Sequence, residues 1–212
     1  MDNQLIKQTA LETIQLEKTA IEQLSNFIDD GFASAIECLH QCTGRVIVSG
    51  IGKSAIIAQK LVATFNSTGT PAVFMHAADA IHGDLGMMQQ ADIAIVISKS
   101  GESAEIKVLI PLIKNFGNTL IAICGNKKSF LATQSDFFID TTVAIEACPN
   151  NLAPTTSTTA QLVMGDAIAV CLLKMKGFSA SDFAKYHPGG ALGKQLYLKV
   201  QSLSNIHEKP QV

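Results

Sequence analysis

Five short apolar runs alternate with helical patterns through the middle of the chain. The apolar runs cover residues 45–49, 71–75, 92–98, 119–124 and 136–140, and the helical patterns cover residues 53–67, 102–116, 127–134 and 157–175. Short strands that are apolar throughout, each followed by a helix, are typical of a parallel sheet covered on both faces. The pattern therefore predicts an α/β fold, a doubly wound five-stranded parallel sheet in a flavodoxin-like sandwich.

An amphipathic helical arm is predicted before the first strand. Apolar residues recur at helical spacing from residue 3 to 28, Gly31 interrupts the pattern, and the pattern resumes from Phe32 to Cys42. A helical arm of this kind packs its apolar face on its own domain or on a neighbouring subunit. We expect residues 1–43 to pack on the domain and to contribute to an oligomer interface.

Composition excludes several classes of function. Of the 212 residues, 47% are hydrophobic and 16% are charged, with a net charge of -2, which excludes a disordered chain and leaves no basic surface for nucleic acid or an anionic membrane. The polar N-terminus does not look like a signal peptide, and no uninterrupted apolar run is long enough for a membrane span, so we expect a cytoplasmic protein. Five scattered cysteines favour reduced thiols. The expected partner is a small molecule or another protein.

The first glycine-rich turn joins a predicted strand to a predicted helix. Residues 49–54, Ser-Gly-Ile-Gly-Lys-Ser, place backbone N–H groups at a helix N-terminus, where the helix dipole favours an anion such as phosphate. Lys53 could reach the same ligand. A P-loop would need glycine at Ile47, and a dinucleotide site would need an acidic residue near Thr70 and Pro71. The sequence therefore excludes a P-loop and disfavours a dinucleotide-binding site.

A second such turn, residues 98–103, follows the third predicted strand and has the sequence Ser-Lys-Ser-Gly-Glu-Ser. Three hydroxyls around a glycine at a helix N-terminus can bind one phosphate together with backbone N–H groups. Helix capping by Ser100 with Glu102 or Ser103 is the alternative, but a cap needs only one hydroxyl. Lys99 could add positive charge or project into solvent.

Three other segments contain candidate functional residues. Residues 76–86 hold two histidines and two aspartates, which could bind a metal, although a helix cap with one active-site imidazole is the stronger interpretation without further His or Cys nearby. Glu146 is an isolated carboxylate, and spacing alone favours a surface position. His187 precedes a Pro-Gly-Gly turn and by spacing alone indicates only a turn.

Seven motifs in a fixed order carry a family resemblance. They are Ser-Gly-Ile-Gly-Lys-Ser (49–54), Ser-Thr-Gly-Thr-Pro (67–71), His-Gly-Asp-Leu-Gly-Met (82–87), Ser-x-Ser-Gly-Glu-Ser (98–103), Ala-Pro-Thr-Thr-Ser-Thr-Thr (153–159), Gly-Asp-Ala (165–167) and His-Pro-Gly-Gly-x-Leu-Gly (187–193). Over about residues 40–198 the chain resembles the arabinose-5-phosphate isomerases, which carry a sugar isomerase (SIS) domain. The combination is far more specific than any single motif.

The resemblance implies an aldose–ketose isomerase that interconverts D-ribulose 5-phosphate and D-arabinose 5-phosphate and supplies Kdo biosynthesis for lipopolysaccharide or capsule. It implies no cofactor and no required metal, with His82 as a candidate inhibitory metal site. The implied catalytic residues are Lys53, Glu105, Glu146 and His187. The implied substrate-binding residues are Ser49, Gly50, Gly52, Ser54, His82, Ser98, Ser100, Glu102, Ser103, Thr156, Ser157 and Thr158. An isomerase of another phosphosugar and a non-catalytic SIS regulator that binds sugar phosphates are the alternatives.

The resemblance also carries expectations about organisation. SIS domains commonly form dimers or tetramers, so we expect a homo-oligomer, with a tetramer favoured, and His187 could reach a neighbour's site. Residues 44–200 would form the SIS domain and 201–212 a polar tail, with no room for the regulatory CBS pair of many members. Any feedback ligand, such as a downstream Kdo metabolite, would then act in the same pocket. Ala55-Ile56 and Lys99 depart from the family pattern, in which Gly-His and Asn are common, and they would alter the pocket wall.

The chemistry of the reaction gives provisional roles to the implied catalytic residues. Moving a proton between C1 and C2 through an enediolate needs a base, a group that moves the oxygen protons, and a cation or donor for the oxyanion. We expect Glu146 to be the base, with apolar surroundings that raise its pKa, and Lys53 to stabilise the enediolate. His187 and Glu105 would open the sugar ring and shuttle oxygen protons, with His82 as a substitute for either.

Overall fold

The protein, described here from a computed structural model for residues 2–190 and Lys194, is built on a five-stranded parallel sheet. The strands are β1 (Val46–Gly50), β2 (Ala72–His76), β3 (Ile93–Ser98), β4 (Leu120–Cys124) and β5 (Phe137–Asp140), in the order β2-β1-β3-β4-β5. All four neighbouring pairs are parallel. This confirms the predicted doubly wound sheet, and the strand order changes direction between β1 and β3.

In the residues that the structure describes, eight α-helices surround the sheet. They are α1 (Asn3–Leu24), α2 (Asp30–His40), α3 (Lys53–Ser67), α4 (Ala77–Ala80), α5 (Ala104–Asn115), α6 (Phe130–Gln134), α7 (Thr156–Met175) and α8 (Ala180–Tyr186). Short 3-10 helices cover Ser25–Phe27 and Asp84–Met87. The four helices predicted between and after the strands are present, and their ends lie within three residues of the predicted bounds.

Alternate residues of the buried strands face opposite layers, as the two-residue period of a strand requires. In β1, Val46 and Val48 pack in one core with α2, α3 and α7, whereas Ile47 packs in the other core with α4, α5 and α6. Both faces of the central strands are therefore covered by helices, which explains why these strands are apolar throughout.

The N-terminal arm breaks at a different residue from the one predicted. Gly31 lies inside α2, whereas the chain turns at Ser25–Phe27 and α2 begins after Asp29. The Asp29 carboxylate accepts a hydrogen bond from the Phe32 amide at 2.9 Å and so caps the helix. The capping aspartate, not the glycine, sets this helix boundary.

The long helix α7 runs alongside α3 across one face of the sheet. Gly165 allows the close approach, because a Cβ atom there would lie 3.1 Å from Leu61 of α3. At the far end of α7, Lys176 Nζ donates to the Gly69 carbonyl at 3.0 Å, just after α3. By length and composition α7 could cross a membrane, but its buried residues are part of the protein core.

Candidate active site

Three segments meet at the carboxyl edge of the sheet. They are the turn from β1 to α3, the turn from β3 to α5, and the loop from β5 to α7. β1 and β3 are hydrogen-bonded neighbours, and the strand order changes direction between them. In open α/β sheets, ligands bind in the crevice at such a switch point, and the predicted phosphate-binding turns lie on its two sides.

The turn from β1 to α3 has two glycines with different physical roles. A Cβ atom at Gly50 would lie 3.0 Å from the backbone of Ser54, so the start of α3 requires glycine there. Gly52 has a φ of 58°, with open space where a Cβ atom would lie. Lys53 begins α3 and is exposed, while Ser49 is buried with an Oγ that has no hydrogen-bond partner among the described residues.

The three serine hydroxyls of the turn from β3 to α5 have different surroundings. Ser98 Oγ accepts from the Gly101 amide at 3.0 Å, and Ser100 Oγ accepts from the Glu102 amide at 3.2 Å. Ser103 is the N-cap residue of α5, yet its hydroxyl makes no capping bond, and its buried Oγ lacks a partner within the described part of the chain. The turn therefore keeps a hydroxyl available for a ligand.

Packing fixes the shape of this turn at Gly101. Its φ is 67°, and a Cβ atom there would lie 2.2 Å from Ser129 Oγ. The Gly101 carbonyl also accepts from the Leu131 amide at 3.1 Å. Close contact with α6 thus requires glycine at the centre of the turn.

The two glutamates of this region have different surroundings. The Glu102 carboxylate accepts from the Phe130 amide at 2.6 Å and pairs with Lys107 at 2.7 Å, so it holds the start of α6. Glu105 lies half-buried in the first turn of α5, with no ion pair or hydrogen bond to its carboxylate from the residues that the structure describes. Glu105 is therefore the less constrained of the two.

Glu146 is a buried carboxylate held at both oxygens. Its Oε2 accepts from the amides of Thr155 at 2.8 Å and Ser157 at 3.1 Å, where α7 begins. Its Oε1 lies 2.7 Å from Lys99 Nζ. The side chain is 0% exposed, so spacing alone misjudged it as a surface residue.

The pKa of Glu146 moves in the direction opposite to the prediction. Burial acts to raise the pKa, but hydrogen bonds from Lys99, from Ser157 and from the backbone amides outweigh it and lower the pKa to about 2. Glu146 is consequently a fixed anion rather than a carboxyl group poised near neutrality.

The first turn of α7 is hydrogen-bonded to the other segments. Ser54 Oγ donates to Gln161 Oε1 at 3.1 Å, linking the start of α3 to α7. Thr156 Oγ1 accepts from the Ala147 amide at 2.9 Å, and Thr158 Oγ1 donates to the Thr155 carbonyl at 2.8 Å. Two of the predicted binding hydroxyls, those of Thr156 and Thr158, thus help to hold the loop around Glu146.

The structure places His187 beyond the C-terminal end of α7, whereas Glu146 lies at the N-terminal end of this helix. α7 is 20 residues long and carries the chain about 30 Å from Glu146, at 1.5 Å per residue. A Cβ atom at Gly69 would lie 2.6 Å from the Phe178 ring, and that ring lies 5.7 Å from the Tyr186 ring. His187 is the next residue, so it lies near the C-terminal end of α3, not near Lys53.

Among the described residues, the two predicted histidines make only local contacts. His187 stacks on Phe183 at 3.9 Å, and its Nδ1 lies 2.9 Å from the Phe183 carbonyl oxygen. His82 is exposed in the turn after α4. In the described ranges no three His, Cys, Asp or Glu side chains are gathered as metal ligands. Residues 191–193 of the last motif and the predicted tail, 201–212, lie outside the described residues.

Sequence reasoning missed two features of the site. It considered Lys99 only as added charge or as a solvent-facing side chain, and it gave no role to Asn151, whose Oδ1 accepts from the Glu146 amide at 2.8 Å. Both contacts join segments that are distant in sequence or lie in an irregular loop. The nearest sequence indication was the isolated charge of Glu146 in an uncharged stretch.

Comparison with known proteins gives a consistent picture. The SIS domain family model matches residues 39–171. Arabinose 5-phosphate isomerase KdsD of Pseudomonas aeruginosa is 50% identical over 205 residues, which are 96% of this chain and 63% of the relative. KdsD of Escherichia coli K12 is 49% identical over 203 residues, 96% of this chain and 62% of the relative. The chain thus spans about three fifths of the length of these relatives.

One solved structure is similar to this chain over the whole length of that structure. The structure of E. coli CFT073 c3406 in complex with arabinose 5-phosphate superimposes with a TM-score of 0.85 at 42% identity. The match covers 89% of this chain and 100% of the other.

Proposed function

Because the chain belongs to the SIS domain family, we propose that it interconverts D-ribulose 5-phosphate and D-arabinose 5-phosphate. The observation that carries the proposal is the serine turn at the switch point, where the Ser103 hydroxyl at a helix N-terminus has no partner among the described residues and the ionised Glu146 lies beside the turn. The names of the KdsD relatives and the arabinose 5-phosphate complex of the c3406 protein support this choice of substrate.

The reaction follows from the chemistry of the site. The serine turn and the N-terminus of α5 would bind the phosphate, and Lys53 would stabilise the oxyanion of the enediolate. A base works best with a pKa near the working pH, which disfavours the hydrogen-bonded Glu146. We therefore assign proton transfer between C1 and C2 to Glu105, and the fixed negative charge to Glu146.

Substitution of each glutamate tests this assignment. Glu105→Gln should lower kcat by roughly 100-fold or more and abolish exchange of the C2 hydrogen with solvent, because the base is lost. Glu146→Gln should keep that exchange. Exchange that persists in Glu105→Gln and is lost in Glu146→Gln would instead identify Glu146 as the base.

The proposed function is tested directly by NMR. The protein is incubated with ribulose 5-phosphate and, in parallel, with other ketose phosphates, and the appearance of aldose phosphates is followed. Arabinose 5-phosphate as the fastest product supports the proposal, whereas a different preferred sugar would identify another phosphosugar isomerase. Binding without turnover of any sugar phosphate would favour a non-catalytic SIS regulator.

We propose that active sites are shared between subunits of a homo-oligomer, with a tetramer favoured. The support is the position of His187, which α7 carries away from the site of its own protomer. Mixing His187→Ala subunits with Lys53→Ala subunits should restore activity, because mixed assemblies contain sites with both intact residues. No recovery in proven mixed oligomers would contradict shared sites.

We further propose a cytoplasmic role in supplying Kdo biosynthesis for lipopolysaccharide or capsule, with feedback acting in the sugar-phosphate pocket. A downstream Kdo metabolite should then compete with ribulose 5-phosphate in steady-state kinetics. A titration in which such metabolites neither inhibit nor compete would remove the feedback proposal.

A further inference from the structure

The two oxygens of Glu146 are held by partners of different kinds. Oε2 is fixed by backbone amides of Thr155 and Ser157, which belong to the start of α7. Oε1 forms an ion pair with Lys99 Nζ at 2.7 Å and has no hydrogen-bond partner among the described residues. Oε2 is therefore held mainly by backbone amides, with the Thr155 hydroxyl as a further donor at 3.3 Å, whereas Oε1 depends on a single side chain.

Lys99 is anchored in the serine turn through its backbone. Its carbonyl accepts from the Gly125 amide at 3.1 Å, and its neighbours are Ser98 and Ser100. Its side chain is 44% exposed, and an ammonium has three donors. Glu146 Oε1 can take one of them. The ammonium thus joins the serine turn to the buried carboxylate.

The proposed function places two anions in this region. A phosphate in the serine turn and the ionised Glu146 repel each other, and partial burial strengthens the repulsion. Positive charge between them reduces that repulsion, and Lys99 extends from the turn that would bind the phosphate to the carboxylate itself.

We propose that Lys99 is a positioning residue that keeps Glu146 as a fixed, charge-compensated anion, so that the serine turn can accept a phosphate beside it. This inference rests on the proposed function. Lys99 acts on the substrate through Glu146, whose carboxylate also accepts hydrogen bonds from Thr155 and Ser157 and interacts electrostatically with the Cys148 thiol. Of these neighbours in the described part of the chain, only Lys99 is a cation.

The first test measures Glu146 itself and needs no catalysis. In protein carrying 13C-labelled glutamate, the Glu146 resonance is assigned with Glu146→Gln and followed against pH. Lys99→Met should raise the pKa of Glu146 by about 1–3 units, because an opposite charge in contact is removed. Lys99→Arg should restore the low pKa, and Lys127→Met, an exposed lysine on the next loop, should leave it unchanged. An unchanged Glu146 titration in Lys99→Met overturns the proposal.

The second test uses inorganic phosphate as the probe in calorimetry. Lys99→Met should weaken phosphate binding about tenfold, because the negative charge of Glu146 then repels the phosphate without compensation. In the Glu146→Gln background the same substitution should have little effect, because the negative charge that Lys99 compensates is absent. An equal loss in both backgrounds would show that Lys99 contacts phosphate directly and would overturn the role through Glu146.

These outcomes separate this inference from the proposed function. If Glu146 and phosphate respond as expected but no sugar phosphate is isomerised, the proposed function alone fails. If the protein isomerises ribulose 5-phosphate and Lys99→Met changes neither the pKa of Glu146 nor phosphate binding, the role of Lys99 alone fails. If the protein isomerises sugar phosphates, Lys99→Met should also shift the acidic limb of the pH–rate profile to higher pH.

Discussion

At the scale of single residues, Glu146 links the site to the stability of the fold. Folding lowers its pKa from an ordinary value of 4.5 to about 2. The ionised carboxylate therefore stabilises the folded state above about pH 4.5, and this contribution disappears as the pH falls to about 2. A difference of about 2.5 units corresponds to at most about 3 kcal/mol.

Glu146→Gln should accordingly reduce the free energy of unfolding at pH 7 by about 2–3 kcal/mol, and by roughly half as much or less near pH 3. Urea unfolding at the two pH values measures both losses. Glu12→Gln on the exposed surface of α1 serves as the control and should cost little at either pH. An equal loss from Glu146→Gln at both pH values would show that packing, not charge, explains the effect.

Sequence reasoning at this scale identified residue types better than their environments. Ser103 was predicted to bind phosphate, and its buried hydroxyl, which has no partner in the described part of the chain, is compatible with that role. The direction of the pKa shift of Glu146 was wrong because the loop after β5 returns to the start of α7, where backbone amides stabilise the charge. The spacing of apolar residues along the chain does not show that the loop after β5 folds back onto the start of α7.

At the scale of elements, the serine turn depends on the packing of α6 against it. Gly101 combines a positive φ with a contact that a Cβ atom would violate, whereas Gly117 has a φ of 78° and open space around it. A substitution at Gly117 therefore introduces backbone strain alone, whereas a substitution at Gly101 introduces strain together with steric overlap.

Gly101→Ala should therefore reduce stability by about 2–4 kcal/mol, and Gly117→Ala by about 1 kcal/mol, the strain term alone. Chemical denaturation measures both values. Gly101→Ala should also weaken phosphate binding, since the turn must shift away from Ser129. Equal stability losses at the two positions would contradict the role assigned to the contact with α6.

Predictability differed among the elements. The central strands were predicted within a residue because both of their faces are buried, which makes them apolar throughout. The break in the arm was misplaced because glycine was taken as the breaker, whereas the Asp29 cap fixes the boundary. The short α8 was not predicted, although Ser179 and Asp182 form a capping box at its start.

At the scale of the whole molecule, α1 leaves apolar side chains uncovered. Leu11 is 62% exposed and Ile14 is 64% exposed. Exposed apolar residues on an amphipathic helix indicate a surface that another chain can cover, in agreement with the predicted contribution of the arm to an oligomer.

Leu11→Lys combined with Ile14→Lys should lower the oligomer size measured by light scattering, because the charges oppose burial at the interface. Gln8→Lys combined with Gln15→Lys adds the same charge at exposed polar positions of α1 and is the matched control. If the size of the Leu11/Ile14 variant is unchanged, α1 is not part of the interface.

The length of α7 has a consequence for how activity depends on protein concentration. The N-terminus of α7 binds Glu146, and its C-terminal end leads to His187 about one helix length away. With sites completed by a neighbouring subunit, an isolated protomer would hold two incomplete halves of two different sites. Specific activity should then decline on dilution by mass action, at concentrations set by subunit dissociation rather than by substrate affinity.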